Sequence, residues 1–429
     1  MAPQQLTKTE ATSQTGFDYD LAIVGGGIVG ATLACALKDS GLSVVLIEAQ
    51  PLSVAQVKPQ AYNLSILSGR IFQGIGVWQK ILPQITTYRQ IRLSDADYGK
   101  VVQFQLQDLG TDALGYIAEH RVLLGALAEF VATSPNLNLL CPAEVLEVQY
   151  EASGAEITVN MEGETRKLKT RLVVAADGSR SPIRTAAGIG THGWQYWQSC
   201  VTARIKTEKP HNDTAFERFW PSGPMGVLPL SEHRCQVVWT APHAEAKALQ
   251  ELDEKAFLEL LEQRTGGLLG HLELESGRFL FPVQLMQSDR YTQSRLALIG
   301  DAAHCCHPLG GQGLNMGIRD AAALAQVLQN AAKLGEDIGN VQVLKRYERW
   351  RKLENWAILG FTDILDRMFS NNWLPIVTTR RLGLWMLQTI SPLKSLVLKF
   401  MTGLLGRTPN LAQSDLTTDN SAQFPDFSS

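Results

Sequence analysis

His304, Cys305, Cys306 and His307 put four metal-binding or nucleophilic side chains in a row, and four glycines follow between Gly310 and Gly317. Two chemistries compete for such a stretch: a metal centre, or a backbone loop that holds an anionic cofactor. Spacing argues against the metal. Zinc ligands usually stand about two to four residues apart so that they converge on one ion, which adjacent cysteines do not easily do. No second cysteine pair completes a set of four. His304 and the two cysteines are therefore expected to be packing residues, with no metal bound. The glycine run has a different use. A helix beginning near Leu314 directs its free amides at negative charge, and glycine lets a ring approach where side chains would block it.

An anionic cofactor needs a second anchor, and residues 18–48 supply one: DYDLAIVGGGIVGATLACALKDSGLSVVLIE. Leu21 to Val24 form a short apolar strand, a small-residue helix follows from about Val29 to Lys38, and a second strand runs from Ser43 to Ile47. Gly25, Gly27 and Gly30 occupy the turn of this β-α-β unit. Gly25 permits the tight turn, Gly27 lets the backbone approach a pyrophosphate, and Gly30 lets the helix pack against the strand. The helix N-terminus favours phosphate, and Glu48 at the tip of the second strand is placed to accept the ribose hydroxyls. The unit predicts an adenine dinucleotide; NAD and FAD both satisfy it.

Two further strands end in acids. RLVVAADGSRSPIR (171–184) ends in Asp177-Gly178, and RLALIGDAAHCCHP (295–308) in Gly300-Asp301. Either is also readable as a turn or a helix cap. In order with the first motif, however, they resemble the FAD-dependent aromatic hydroxylases of the para-hydroxybenzoate hydroxylase superfamily. His307-Pro308-Leu309-Gly310-Gly311-Gln312-Gly313-Leu314-Asn315-x-Gly317-x-x-Asp320 resembles the signature of its ubiquinone-biosynthesis hydroxylase family. GVWQKI (76–81), LGYIAEHRVLLGAL (114–127), RFWPSGPMGVLPL (218–230) and RYERWRKLENWAILGFTDILDRMF (346–369) extend the likeness along most of the chain.

The resemblance implies FAD, with NAD(P)H or another electron donor as co-substrate. It also implies hydroxylation of a polyprenylated phenol by O2 through a flavin hydroperoxide, in the biosynthesis of a ubiquinone-type quinone. Asp301 is then expected at the ribityl and pyrophosphate of FAD, Asp177 at FAD and NAD(P)H, and Arg121 near FAD. Pro308, Gly311, Gly313, Leu314 and Asn315 are expected around the flavin ring. Relatives commonly carry Asp-x-Arg where this chain has Lys58-Pro59-Gln60, so the resemblance does not carry over a flavin or substrate contact made by that arginine. No side-chain acid or base is assigned. A prenyl-lipid reductase on the same scaffold and a non-catalytic FAD-containing quinone-lipid binder are the rival readings.

The implied fold is α/β: a Rossmann-like FAD-binding domain with an inserted, mostly antiparallel substrate sheet and C-terminal helices. The FAD-binding domain is expected over 17–76, 114–190 and 290–340, the substrate domain over 77–113 and 191–289, and a helical region over 341–406. Strand-like runs at 201–206, 215–220, 225–230, 236–240 and 279–285 build the inserted sheet, and Phe219, Trp220 and Trp239 are candidate pocket linings. Residues 1–16 and 407–429 are polar and are expected to be disordered tails.

Composition sets the outer bounds. At 429 residues, 45% hydrophobic, the chain is long enough for two interwoven domains with a sizeable core. A net charge of −3 gives no reason to expect nucleic acid. The six cysteines form no disulfide framework, which favours a reducing, cytoplasmic setting. No apolar run predicts a transmembrane helix. Between Arg380 and Arg407 stand five basic residues and no acid, with Leu396, Val397, Phe400, Met401 and Leu404 at helical spacing. This segment reads either as a helix covering the flavin domain or as a basic amphipathic helix resting on the inner face of a membrane. A prenylated substrate, and a complex with other quinone-biosynthesis enzymes, would suit the second reading.

Overall fold

A computed structural model describes residues 16–56, 58–95 and 101–413. Residues 1–15 and 414–429 of the expected tails lie outside them. Residues 407–413 do not loosen as expected. The Asn410 amide donates to Gln326 Oε1 at 2.9 Å, and Ala412 is buried. The two apolar residues Leu411 and Ala412 suffice to seat this short polar segment.

Continuous apolar runs dictate the first sheet. Val44–Ile47 and the ends of Tyr19–Val24 and Glu164–Ala175 are buried, as strands covered on both faces must be. They lie parallel, with Leu21 opposite both Val44 and Leu172. Leu137–Leu140 extends the sheet beyond Val44–Ile47, and Leu296–Leu298 extends it beyond Glu164–Ala175. The helix Ile28–Ala36 packs on the 22-residue helix Gln312–Lys333. Gly30, Ala31, Ala34, Ala321, Ala322 and Ala325 are buried there, and their small side chains permit the close approach.

Alternating runs dictate the second sheet, which has nine strands among the described residues. Thr191–Thr207 pairs antiparallel with Arg234–Pro242 and Phe279–Ser288, and Arg234–Pro242 pairs antiparallel with Met225–Leu230. Thr214–Phe219 follows, and Gln90–Asp95 joins it in parallel. Four of the five expected strand-like runs fall within these strands, and the run 215–220 overshoots its strand by one residue, Trp220.

Three C-terminal helices, Val341–Phe369, Leu374–Thr389 and Ser391–Met401, close the molecule. Arg380 anchors them. Its buried guanidinium meets the buried Asp95 carboxylate at 2.8 Å and donates to the carbonyls of Phe369 and Asn371. Among the described residues no helix is long and apolar enough to cross a membrane.

Candidate functional site

A cavity of about 910 Å³ runs between the two sheets, within the range of small-molecule sites. One end is lined by backbone. Gly25 turns the first strand with φ +107°, and a Cβ there would stand 2.3 Å from the Ala176 carbonyl. A Cβ on Gly30 would stand 2.0 Å from the Gly25 carbonyl, so both positions exclude a side chain. Gly27 differs: it lines the cavity, and a Cβ there would meet no protein atom within 4 Å. That free space at a helix N-terminus is a cradle of the kind a pyrophosphate fills. Glu48 closes the turn, with one carboxylate oxygen accepting from the Gly26 amide at 2.7 Å and the other from Gln50 at 2.8 Å.

Both strand-end acids sit beside this cradle. Asp301 lines the cavity with its side chain open to that space, and desolvation by the surrounding residues raises its carboxyl above the ordinary range. Asp177 is raised for the same reason, and its Oδ1 is buried without a hydrogen-bond partner. A buried acceptor left unmatched is an opening for a ligand donor. Glycine backbone, an orphaned acceptor and a helix N-terminus together fit FAD.

Pro308, Gly311, Gly313 and Leu314 all line the cavity. Gly310 and Gly311 both adopt left-handed φ, +67° and +63°, which bends the chain sharply into the long helix. Asn315 does not face the cavity. Its Oδ1 accepts from the Ser65 amide and the Ser68 hydroxyl, and its Nδ2 donates to the Asn63 and Gly311 carbonyls. Those four bonds exhaust the amide, so Asn315 holds the loop and has nothing left for a cofactor.

His304 is spoken for as well. Its Nε2 meets Asp320 Oδ2 at 2.5 Å, and the same carboxylate accepts from the Gly300 amide, Arg351 and Asn355. Burial alone would raise the Asp320 carboxyl, but His304 and Arg351 outweigh it and hold it well below the usual range. Cys305 and Cys306 line the cavity, and burial pushes both thiols up, Cys306 to about 12.

Three expectations are corrected. Arg121 points away from the cavity: its side chain is 63% exposed and pairs with Glu119 at 3.1 Å. Its neighbour His120 faces inward instead, bonded to Tyr62 and the Ala55 carbonyl, because adjacent helical residues point in different directions. Phe219 lines the cavity, but Trp220 and Trp239 do not. Trp239 alternates to the sheet's other face, and Arg264 lies over both indoles at 4.6 and 4.9 Å. The cations of the last helices are only partly free. Arg380 is buried against Asp95, and Lys394 meets Asp108 at 2.9 Å.

The far end of the cavity is mostly apolar, with Gln195, Thr202, Gln236 and Thr240 interspersed on the sheet face. Ile91, Leu93, Phe104, Ala215, Leu228 and Val238 come from the second sheet, and Phe361, Leu365, Val397 and Met401 from the C-terminal helices. Among them stands one carboxylate absent from the expected site, Glu217. Its signal was the alternation Ala215-x-Glu217-x-Phe219, which puts an acid on an otherwise apolar strand face.

Comparison with known proteins agrees with this geometry. The FAD binding domain family matches residues 18–362. An uncharacterized protein, slr1300, of Synechocystis sp. is 53% identical, over 94% of this chain and 97% of its own. Ubiquinone hydroxylase UbiL of Rhodospirillum rubrum is 36% identical, over 91% of each chain. The p-nitrophenol 4-monooxygenase PnpA of Pseudomonas putida superposes with a TM-score of 0.77 at 19% identity, over 90% of this chain and 98% of that one. The chain belongs to the FAD-dependent monooxygenases, in the family of the ubiquinone-biosynthesis hydroxylases.

Proposed function

We propose that this enzyme hydroxylates the aromatic ring of a polyprenylated phenol in the biosynthesis of a ubiquinone-type quinone. One observation carries the reading: a single cavity joins a glycine-lined, anion-binding end to an apolar end that accepts a ring and the start of a prenyl chain. The similarity to a ubiquinone hydroxylase supports it. Bound FAD, reduced by NAD(P)H or another donor, supplies the activation of O2. The protein's own residues bind, orient and exclude water. Gly25, Gly27, Gly30 and Glu48 would hold the adenine dinucleotide end, while Asp177 and Asp301 would accept hydrogen bonds from the hydroxyls of the cofactor. Pro308, Gly311, Gly313 and Leu314 form the floor under the ring system, and the apolar wall keeps the reacting ring dry.

Substrate reaches the enzyme from a bilayer in this reading. Trp373 and Leu374, 67% and 76% exposed at the start of a C-terminal helix, and exposed Lys399 support peripheral contact with a membrane surface. Oxygen uptake matched by hydroxylated product, with a short-chain prenylated phenol as substrate, tests the function. Flavin reduction without ring hydroxylation would instead favour the reductase.

A further inference from the structure

The structure assigns to Glu217 the role of accepting the hydroxyl proton of the bound phenol; this rests on the phenol reading above and names a residue for it. Glu217 sits mid-sheet, opposite Leu93 on one neighbouring strand and Gly226 on the other. Gly226 is followed across the sheet by Val238 and then Thr202. This row faces the cavity. Gly226 has no side chain to cover the carboxylate; a Cβ there would stand 3.4 Å from Glu217 Oε2. Glu217 itself has neither a hydrogen bond nor an ion pair among the described residues, whereas Asp177 accepts from the Ile183 amide and Asp320 meets His304.

The surroundings are apolar or neutral. Cys200, whose buried thiol is pushed up to about 12 and feels the Glu217 charge, shares the cavity face, and Tyr88, whose hydroxyl burial also pushes up, lines the same cavity. Arg92 and Arg218 stand on the sheet's other face. Lys58, Arg180 and Asp301, the other charged linings, belong to the segments of the glycine-lined end. Desolvation raises the Glu217 carboxyl to about 7, which suits a base working near neutrality. An unpaired carboxylate in an apolar wall is costly, and a phenolic hydroxyl is the partner that relieves it.

The proton balance closes. The phenol O–H bond breaks, its proton goes to a Glu217 oxygen, and the electron pair stays on the phenol oxygen, enriching the ortho and para carbons. One oxygen atom of O2 enters the ring as a hydroxyl; NAD(P)H or another donor supplies two electrons through the bound flavin, and the other oxygen atom leaves as water, taking up the proton that the ring carbon gives up. The hydroxylated carbon then loses its hydrogen as a proton, the ring regains aromaticity, and the original oxygen takes its proton back from Glu217.

The test uses flavin-loaded wild type, Glu217→Gln and Glu217→Leu with 2-prenylphenol and its methyl ether, following dissociation constants by flavin absorbance across neutral pH. Wild type should prefer the phenol over the ether by roughly tenfold to hundredfold, the worth of one charge-assisted hydrogen bond. That preference should fade as pH falls below about 7, where Glu217 takes a proton of its own. Glu217→Gln, which keeps shape and flavin, should lose the pH dependence and most of the preference, and Glu217→Leu all of it. An unchanged preference with the same pH limb in Glu217→Gln would overturn the assignment. Failure of wild type to bind either ligand would overturn the phenol reading itself, and the assignment with it.

Discussion

Asn315 and Asn63 clasp the glycine loop from both sides: Asn315 Nδ2 donates to the Asn63 carbonyl at 2.8 Å, and Asn63 Nδ2 donates to the Gly310 carbonyl at 2.9 Å. Asn315→Ala removes one arm and strands the Ser65 amide and the Asn63 carbonyl. Each stranded buried group costs about 1–3 kcal/mol. The expected result is a lower unfolding midpoint together with weaker FAD retention. Asn315→Asp keeps the acceptor toward Ser65 and loses the donors, so it should fall between wild type and Ala. If Ala lowers flavin affinity without any loss of stability, Asn315 touches the cofactor directly.

Gly27→Val should abolish FAD binding. Backbone strain is not the cause, since Gly27 has φ −65°. The added side chain fills the space the pyrophosphate needs. Glu48→Ala should weaken binding by roughly 1–3 kcal/mol, because the Gly26 amide also loses its acceptor. Flavin absorbance of the purified variants decides both, and full occupancy in Gly27→Val would contradict the cradle.

Asp320→Ala should destabilise the fold by about 3–5 kcal/mol, the cost of leaving a buried charge unmatched, here Arg351. The folded carboxyl lies below its unfolded value, so its contribution is complete above about pH 4 and drains away as pH falls through the folded pKa. Thermal melts across acid pH should show a wild-type acid limb that Asp320→Asn lacks.

Iodoacetamide at neutral pH should leave Cys305 and Cys306 unmodified in the folded enzyme. Their thiols are raised by burial and carry almost no thiolate. Replacing both by Ala should leave flavin content nearly unchanged, and metal analysis should find no stoichiometric zinc. Rapid alkylation of native protein would count against this.

Binding to anionic vesicles should weaken with salt and fall on combining Lys399→Glu with Trp373→Ser. Each cation near such a surface contributes about 1 kcal/mol. Flavin content should survive, since both side chains are exposed. Lys394→Glu is a poor probe: it would set two carboxylates against each other at Asp108. Wild type that ignores vesicles would mean delivery of substrate by another protein.

Legibility in the sequence followed the range of the interactions. The turn at Gly25, Gly27 and Gly30 is local, fixed by what adjacent backbone permits, and could be read directly. So could the strands, whose runs are either continuous or alternating. Which way Arg121 or Trp239 points depends on helix phase and strand register, and a shift of one residue reverses the answer. Asn315 and Asp320 stand in a recognisable motif, but their partners come from residues 63–68 and 351–355. The role of Asn315 as a brace rather than a ligand contact, and the clamping of Asp320 by Arg351 and Asn355, appear only when those segments meet. Lys394 and Arg380 looked like free cations for the same reason, their acids lying some 285 residues earlier.

The strand order of the parallel sheet also sets a timetable for synthesis. Tyr19–Val24 is made first, yet one of its two neighbours arrives only with Glu164–Ala175, and Leu296–Leu298 joins beyond that. A nascent chain stopped before Gly300 owns the dinucleotide turn but lacks Asp301 and the loop ending at Asn315. The second sheet is translated in between. Prosthetic-group loading is thus a late event, waiting on nearly three-quarters of the polypeptide. A truncated translation product would be colourless, and flavin colour would report the completed chain.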